Sequence, residues 1–218
     1  MNNLFSEKGK FWQVLFFSFS LIFIIATNYE PYQMSWLLKV LPMLLLITVA
    51  IKNLDWNHSK LFITGLIFSV CGDFILDFFA EDGFVFGLGS FFIAHSFYLF
   101  YFARWQWDSR KAGLSLLVLT YGGYVMSHLL SNLGALFYPV IGYMFILTLM
   151  AFASFFSKKS NIWFVLGGIS FVISDSILGI NKFYLPFDAS HILIMVSYYF
   201  AQFALLKGVF KLKSVLLN

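Results

Sequence analysis

The chain has 218 residues, of which 61% are hydrophobic and 11% are charged, and its formal net charge at pH 7 is +4. Because globular proteins carry about 25% charged residues, this composition excludes an ordinary soluble domain. The basic residues are dispersed in short segments between apolar runs, which is typical of membrane topology determinants and gives no indication of nucleic-acid binding. The sequence therefore predicts a single integral membrane domain over residues 1–218.

Apolar runs of about twenty residues recur along the chain, and each can cross a hydrocarbon core of about 30 Å as an α-helix. They predict an all-α polytopic membrane protein with about eight transmembrane helices. The first run follows a basic start but lacks a small-residue cleavage site, so we expect a helix there rather than a removed signal peptide. The predicted spans are residues 11–27, 33–51, 60–80, 84–103, 112–131, 134–156, 161–180 and 189–208.

The lysines and arginines predict the orientation of these spans. With eight spans, both termini and the second, fourth and sixth connections share one side of the membrane. That side holds twelve of the 14 basic residues, the opposite side holds Lys182, and Lys39 lies within the second span. The positive-inside rule then places both termini in the cytoplasm. We expect the protein in a bacterial cell (inner) membrane, and no feature of the sequence indicates an oligomeric state.

The third and seventh spans carry related sequences. Residues 65–77, GLIFSVCGDFILD, align with residues 167–179 at an offset of 102, with six identities in thirteen positions. One of these identities pairs Asp73 with Asp175. Because the two spans run in the same direction, the pattern favours two parallel four-helix repeats related by an axis along the membrane normal. The two aspartates would then face each other across a central cavity.

Five ionisable residues lie inside the predicted spans, namely Lys39, Asp73, Asp77, His95 and Asp175. Such residues cost about 2.5–3.5 kcal/mol each on insertion scales, and they usually face a partner or a cavity. Their positions along the spans place all five in one layer, at or just outside the bilayer centre. Asp73 and Asp77 are one helical turn apart, so both can face the same cavity.

The three aspartates are not equivalent. Asp73 and Asp175 lie deep, recur in the repeat, and each follow a small residue (Gly72 or Ser174) that lets a neighbouring group approach closely. Asp77 has no counterpart in the repeat, and it is either a supporting residue or a carboxylate solvated at the outer interface. We therefore predict Asp73 and Asp175 as the functional pair.

The two basic candidates have more than one interpretation. Lys39 is either a ligand for the substrate or a counter-ion that neutralises one aspartate. His95 is either functional or a hydrogen-bonded packing residue. A three-histidine zinc site would need partners from His58, His128 and His191, which lie in a connection or near the ends of spans. We predict no metal and no cofactor.

Two carboxylates in an apolar cavity suit acid–base catalysis, because a protonated carboxyl can donate a proton while an ionised one activates water. The same pair suits a proton-coupled small-solute transporter, which also places ionisable groups near the midplane between repeats. A non-catalytic lipid-binding membrane protein is a third interpretation. The residues alone leave these three classes open.

Two stretches of the chain resemble a known family. They are GLIFSVCGDFILDFF with the later FGLGSFFIAHSFYLFYF, and GGISFVISDSILGINKF with the later SHILIMVSYYFAQFALLKG. The marks are the Gly-Asp of the third span, the Phe-x-x-x-His-x-x-Tyr of the fourth (Phe91, His95 and Tyr98) and the Ser-Asp of the seventh. Over about residues 35–208 the chain is similar to the YhhN-type lysoplasmalogenase family.

This resemblance implies a membrane-embedded hydrolase that cleaves the vinyl ether bond of a lysoplasmalogen. The products would be a fatty aldehyde and a glycerophospho-alcohol, and the partners would be the lysophospholipid substrate and membrane lipids. Asp73 and Asp175 would be the catalytic acid and base, in an order that the resemblance does not assign. Residues expected to bind the substrate or to tune the pKa values of the carboxyls are Lys39, Asp77, His95, Ser174, Tyr98, Asn181 and Tyr198.

Overall fold

The structure is a computed structural model that describes residues 9–29 and 33–216; Lys8, one of the basic residues counted for the topology, lies outside them. Within these residues the chain forms eight α-helices and no β-strand, which confirms the all-α prediction. The helices are α1 Phe11–Ala26, α2 Ser35–Asn53, α3 Trp56–Phe78, α4 Phe84–Ala103, α5 Ala112–Leu129, α6 Phe137–Phe156, α7 Ile162–Phe183 and α8 Ser190–Leu216.

Seven of these helices are long and apolar enough to cross a membrane. Among the described residues α5, with 18 residues, is the helix outside this set, and the topology with about eight spans stays a prediction. Large apolar side chains such as Phe17, Leu21 and Phe145 are exposed on the outside of the bundle, as expected for surfaces that contact lipid. The prediction of a polytopic membrane protein is confirmed.

Polar side chains cap two of the membrane helices. The Asp55 carboxylate accepts the backbone N–H of His58 at 3.1 Å at the start of α3. At the start of α7 the Asn161 side chain accepts the backbone N–H of Trp163 at 3.0 Å. The Asn161 amide also donates to the Gly208 carbonyl at 3.0 Å. These caps satisfy N–H groups that have no partner within their own helix.

The last two helices extend beyond their predicted ends. The predicted seventh span stops at residue 180, whereas α7 continues to Phe183, and the predicted eighth span stops at residue 208, whereas α8 continues to Leu216. The apolar windows end where Lys182 and Lys207 appear. A helix backbone can continue past such residues, because a long lysine side chain carries its ammonium group towards water while its stem stays on the helix.

Glycines let neighbouring helices approach closely at equivalent points of the predicted repeat. A Cβ atom added at Gly65 of α3 would lie 2.4 Å from the ring of Tyr98 in α4, and one added at Gly167 of α7 would lie 2.5 Å from Leu205 in α8. In addition, α4 packs on α6 and α8 packs on α2. These contacts are the ones that an arrangement in two parallel halves predicts, and the symmetry itself stays a prediction.

Candidate active site

A cavity of about 100 Å³, here called the inner cavity, lies between α2, α3, α4, α6, α7 and α8. Asp73 and Asp175 both line it, and only 2% and 8% of their respective surfaces are exposed. Most of the other lining residues are apolar, including Leu76, Phe91 and Met195. The fold therefore brings two buried carboxyl groups to one apolar cavity, although they lie on helices far apart in the sequence.

A chain of hydrogen bonds fixes the Asp73 carboxyl. The Tyr198 hydroxyl of α8 donates to Asp73 Oδ2 at 2.6 Å. The Gln202 side-chain N–H in turn donates to the Tyr198 oxygen at 3.4 Å, and the Tyr98 hydroxyl donates to Gln202 Oε1 at 2.9 Å. Gln202 and Tyr98 are fully buried. Since an amide N–H can only donate, this chain directs the Tyr198 proton towards Asp73.

A similar chain holds the Asp175 carboxyl. The Tyr143 hydroxyl of α6 donates to Asp175 Oδ2. His95 Nε2 lies 3.2 Å from the Tyr143 oxygen and 3.9 Å from Asp175 Oδ2. Because Tyr143 has one hydroxyl proton and gives it to Asp175, its oxygen accepts from His95, which places the imidazole proton on Nε2. His95 Nδ1 is buried and has no hydrogen-bond partner among the described residues.

Lys39 and Asp77 form an ion pair at the mouth of the inner cavity. The Lys39 Nζ lies 3.6 Å from Asp77 Oδ1, and their side chains are only 9% and 10% exposed. The Ser35 hydroxyl also donates to Asp77. The Asp77 carboxylate is therefore held by two donors beside a cavity, which favours a supporting role for it. The same ion pair favours the counter-ion interpretation of Lys39, and the roles of both residues stay predictions.

A wider cavity of about 640 Å³, here called the vestibule, adjoins the inner cavity. Lys39 and His191 line both spaces and therefore lie where they meet. At the rim of the vestibule the Lys182 Nζ lies 4.0 Å from Glu81 Oε1. The vestibule lies beside the α3–α4 and α7–α8 connections, so the inner cavity opens towards the side opposite the predicted cytoplasmic loops.

The remaining predicted site residues occupy three different places. Ser174 lines the inner cavity, and its hydroxyl donates to the Ile194 carbonyl at 3.0 Å. Asn181 lines the vestibule and accepts the Phe187 backbone N–H at 3.1 Å. His95 and Tyr98 line neither cavity and are fully buried behind the tyrosines. They follow Phe91, which lines the inner cavity, by one and two turns on the same face of α4, so they lie deeper in the helix packing than the cavity lining, and their roles stay predictions.

Several residues of the site were not identified from the sequence. Tyr143 and Gln202 lie inside apolar spans and have no charge that would mark them, although a buried hydroxyl or amide in a span is itself a signal. His191 was assigned to the end of a span, yet α8 begins beside the vestibule and carries this side chain to both cavities. Within the described residues, no three His, Cys, Asp or Glu side chains are grouped so that they could hold a metal ion.

The fold and these buried carboxyl groups define a polytopic membrane protein with an acidic cavity that opens to one side of the bundle. The YhhN family profile matches residues 34–209, so the chain belongs to the YhhN family and the resemblance seen in the sequence is confirmed. No solved protein structure matches the chain.

Three relatives show how far the similarity extends. The chain is 30% identical over 175 residues to the lysoplasmalogenase TMEM86B of Homo sapiens, which is 78% of this chain and 74% of that protein. It is 29% identical over 173 residues to a lysoplasmalogenase of Mycobacterium bovis, covering 76% of this chain and 66% of the relative. It is 28% identical over 201 residues to TMEM86B of Sus scrofa, covering 89% and 84%.

Proposed function

We propose that the protein is a membrane-embedded hydrolase that cleaves the vinyl ether bond of lysoplasmalogens. Membership of the YhhN family and the names of its relatives support this activity. The observation that carries the proposal is that Asp73 and Asp175 line one apolar cavity and each accepts a tyrosine hydroxyl. No finding supports the alternative of a proton-coupled transporter.

The chemistry of a vinyl ether matches a pair of carboxyl groups. The ether oxygen makes the β-carbon of the double bond basic, so a carboxylic acid can protonate it and form an oxocarbenium ion. A nearby carboxylate stabilises this cation and removes a proton from the water that attacks the α-carbon, as in two-carboxylate glycoside hydrolysis. The product of this step is a hemiacetal, and the first carboxyl is left ionised while the second is protonated.

Collapse of the hemiacetal restores the two carboxyls. The ionised one takes the proton of the hemiacetal hydroxyl, the bond to the glycerol oxygen breaks, and the protonated one supplies the proton of the departing alcohol. One water molecule is consumed, and a fatty aldehyde and a glycerophospho-alcohol leave. We assign the two roles to Asp73 and Asp175 as a pair, in either order, because each accepts a hydrogen bond from a tyrosine hydroxyl.

The charges of the vestibule suit the headgroup of such a lipid. Lys39 and Lys182 supply ammonium groups for a phosphate, while Asp77 and Glu81 lie beside them. The glycerophospho-alcohol would occupy the vestibule, and the vinyl ether would reach the inner cavity between Asp73 and Asp175. The substrate would then approach from the side of the membrane opposite the termini. The positive-inside rule places that side outside the cytoplasm.

Purified protein in detergent tests this function. A hydrolase should release fatty aldehyde from a lysoplasmalogen in mixed micelles, whereas a transporter shows no turnover without a sealed membrane. The matched control is the lysolipid with a saturated alkyl ether of the same length, which has no double bond to protonate and should give no aldehyde. Absence of aldehyde from the vinyl ether substrate, with folded protein, would contradict the proposal.

A further inference from the structure

A third space, lined by apolar side chains, lies beside the inner cavity on the outside of the bundle. This lateral groove, of about 250 Å³, is formed by the first turns of α4 and α6. Its side chains are apolar apart from the hydroxyl of Tyr138, and Tyr138 and Phe92 are exposed on the lipid-facing surface. The groove is lined by Val85, Leu88, Gly89, Phe92, Tyr138, Pro139 and Gly142.

Leu88 separates the lateral groove from the inner cavity. It lines both spaces, and only 6% of its surface is exposed. Phe84, one turn earlier on α4, lines both the inner cavity and the vestibule. The inner cavity therefore has two neighbours along the same face of α4, namely the vestibule past Phe84 and the lateral groove past Leu88.

The vestibule and the lateral groove differ in the same way as the headgroup and the hydrocarbon chain of a lipid, because one is charged and the other is apolar. The vestibule contains the Lys39–Asp77 and Lys182–Glu81 pairs, whereas the lateral groove has no charged lining residue. An alkenyl chain gains about 0.8 kcal/mol for each methylene group that it buries, and it gains nothing among charged side chains. We propose that the lateral groove binds the alkenyl chain of the single-chain lipid, with Leu88 as the partition that the chain passes. This inference rests on the proposed hydrolase function.

The position of the groove agrees with a lipid that stays in one leaflet. The groove lies at the N-terminal ends of α4 and α6, which is the end of the bundle that also holds the vestibule. A headgroup in the vestibule and a chain in the groove would therefore occupy the same half of the membrane. The vinyl ether, which joins headgroup and chain, would fall between them at the inner cavity.

Two glycines create the depth of the groove. A Cβ atom added at Gly89 or at Gly142 would meet no atom within 4 Å apart from its chain neighbours and the backbone of its own helix, so a larger side chain at either position can enter the groove without a clash at its first atom. Gly123 of α5 is equally open and lines a separate apolar groove between α5 and α6. The chain thus offers two groove-filling variants and a matched control.

The test compares Gly142→Leu and Gly89→Leu with Gly123→Leu and the unaltered protein. Each is assayed in the same detergent with lysoplasmalogens whose alkenyl chains run from short to long. Filling the groove should lower kcat/KM about 10-fold to 100-fold for the longest chain and change it less than twofold for the shortest. Gly123→Leu should match the unaltered protein at every length. Two filling variants on different helices guard against misfolding of one of them.

Each outcome has a distinct meaning. If the filling variants lose no more activity than Gly123→Leu at any chain length, the lateral groove does not bind the chain, while the hydrolase function stands. If the unaltered protein releases aldehyde from none of the substrates, the proposed function itself fails. As a second measurement, a saturated alkyl lysolipid with a diazirine at its chain end should label α4 and α6 beside the groove. Labelling confined to the vestibule would overturn the inference.

Discussion

The acidic residues of the site form two layers with different partners. In the inner layer, Asp73 and Asp175 accept tyrosine hydroxyl groups. In the outer layer, Asp77 and Glu81 face the ammonium groups of Lys39 and Lys182. A hydroxyl partner is neutral and can accompany either protonation state of a carboxyl, whereas an ammonium partner pairs with the charged state. The inner layer is therefore suited to proton transfer and the outer layer to holding charge.

The largest expected effect is the loss of an inner carboxyl. Asp73→Asn and Asp175→Asn should each lower kcat for aldehyde release by about 10²–10⁴-fold, because each removes a group that donates or accepts a proton. The amide keeps the size of the side chain, so the unfolding temperature should change little. Asp108→Asn, in the connection after α4 and outside both cavities, is the control. Activity within tenfold of the unaltered protein in either folded variant would contradict the two-layer assignment.

The tyrosines of the inner layer should have the next largest effect. Tyr143→Phe and Tyr198→Phe remove the hydroxyl that orients each aspartate while keeping the ring. We expect kcat to fall about 10-fold to 100-fold with little change in KM, as is typical of residues that orient a reactive group. Tyr124→Phe, at an exposed tyrosine of α5, should leave both constants unchanged. A change confined to KM would instead assign the tyrosines to substrate binding.

We expect His95 to be a neutral donor of an N–H hydrogen bond to the Tyr143 oxygen, as the Gln202 amide is to the Tyr198 oxygen. His95→Gln retains an N–H donor and should keep kcat within about fivefold, whereas His95→Leu should lower it about 10-fold or more. Steady-state kinetics on the two variants measures the difference. Equal loss in both variants, with intact folding, would show that the imidazole does something that an amide cannot.

The outer ion pair should affect stability and substrate binding more than the chemical step. Lys39→Met or Asp77→Leu alone leaves an unpaired charge in a nearly buried place, and both should lower the unfolding temperature. The double variant should recover part of this loss, which a double-mutant cycle measures. Lys39→Met should also raise KM about fivefold, because one ammonium group is lost from the vestibule. Strictly additive unfolding temperatures would mean that the two side chains do not interact.

The smallest effect is expected at the opposite end of the bundle. Hydrogen bonds from the His58 side chain and backbone N–H hold the pKa of Asp55 below its usual value of 3.8. A lowered pKa contributes stability above the unfolded value, and this contribution is lost as the pH falls through the folded value. Asp55→Asn keeps the cap but should remove this pH dependence below about pH 4 without changing kcat. Thermal unfolding between pH 3 and pH 6 provides the measurement, and an unchanged profile would exclude the contribution.

The membrane class and the functional pair of aspartates could be predicted because both can be recognised from the local sequence. A run of apolar residues long enough to span hydrocarbon identifies a helix by itself. An aspartate inside such a run is costly wherever its partner lies, so Asp73 and Asp175 were visible without knowledge of the packing. The ends of α7 and α8 were harder to predict, because lysines at an interface neither end a helix nor continue an apolar window.

The partners were decided by tertiary structure. Tyr198 reaches Asp73 across 125 residues of sequence and Tyr143 reaches Asp175 across 32, and Lys39 meets Asp77 rather than a deeper aspartate. Each pairing depends on the rotation of a helix about its axis and on which helices are neighbours. The position of a side chain along its helix matters as well: Phe91 lines the inner cavity, whereas His95, one turn further along the same face of α4, lies behind it. The sequence by itself determined which charges are buried, since that cost is local, while packing between distant segments decided what each charge contacts.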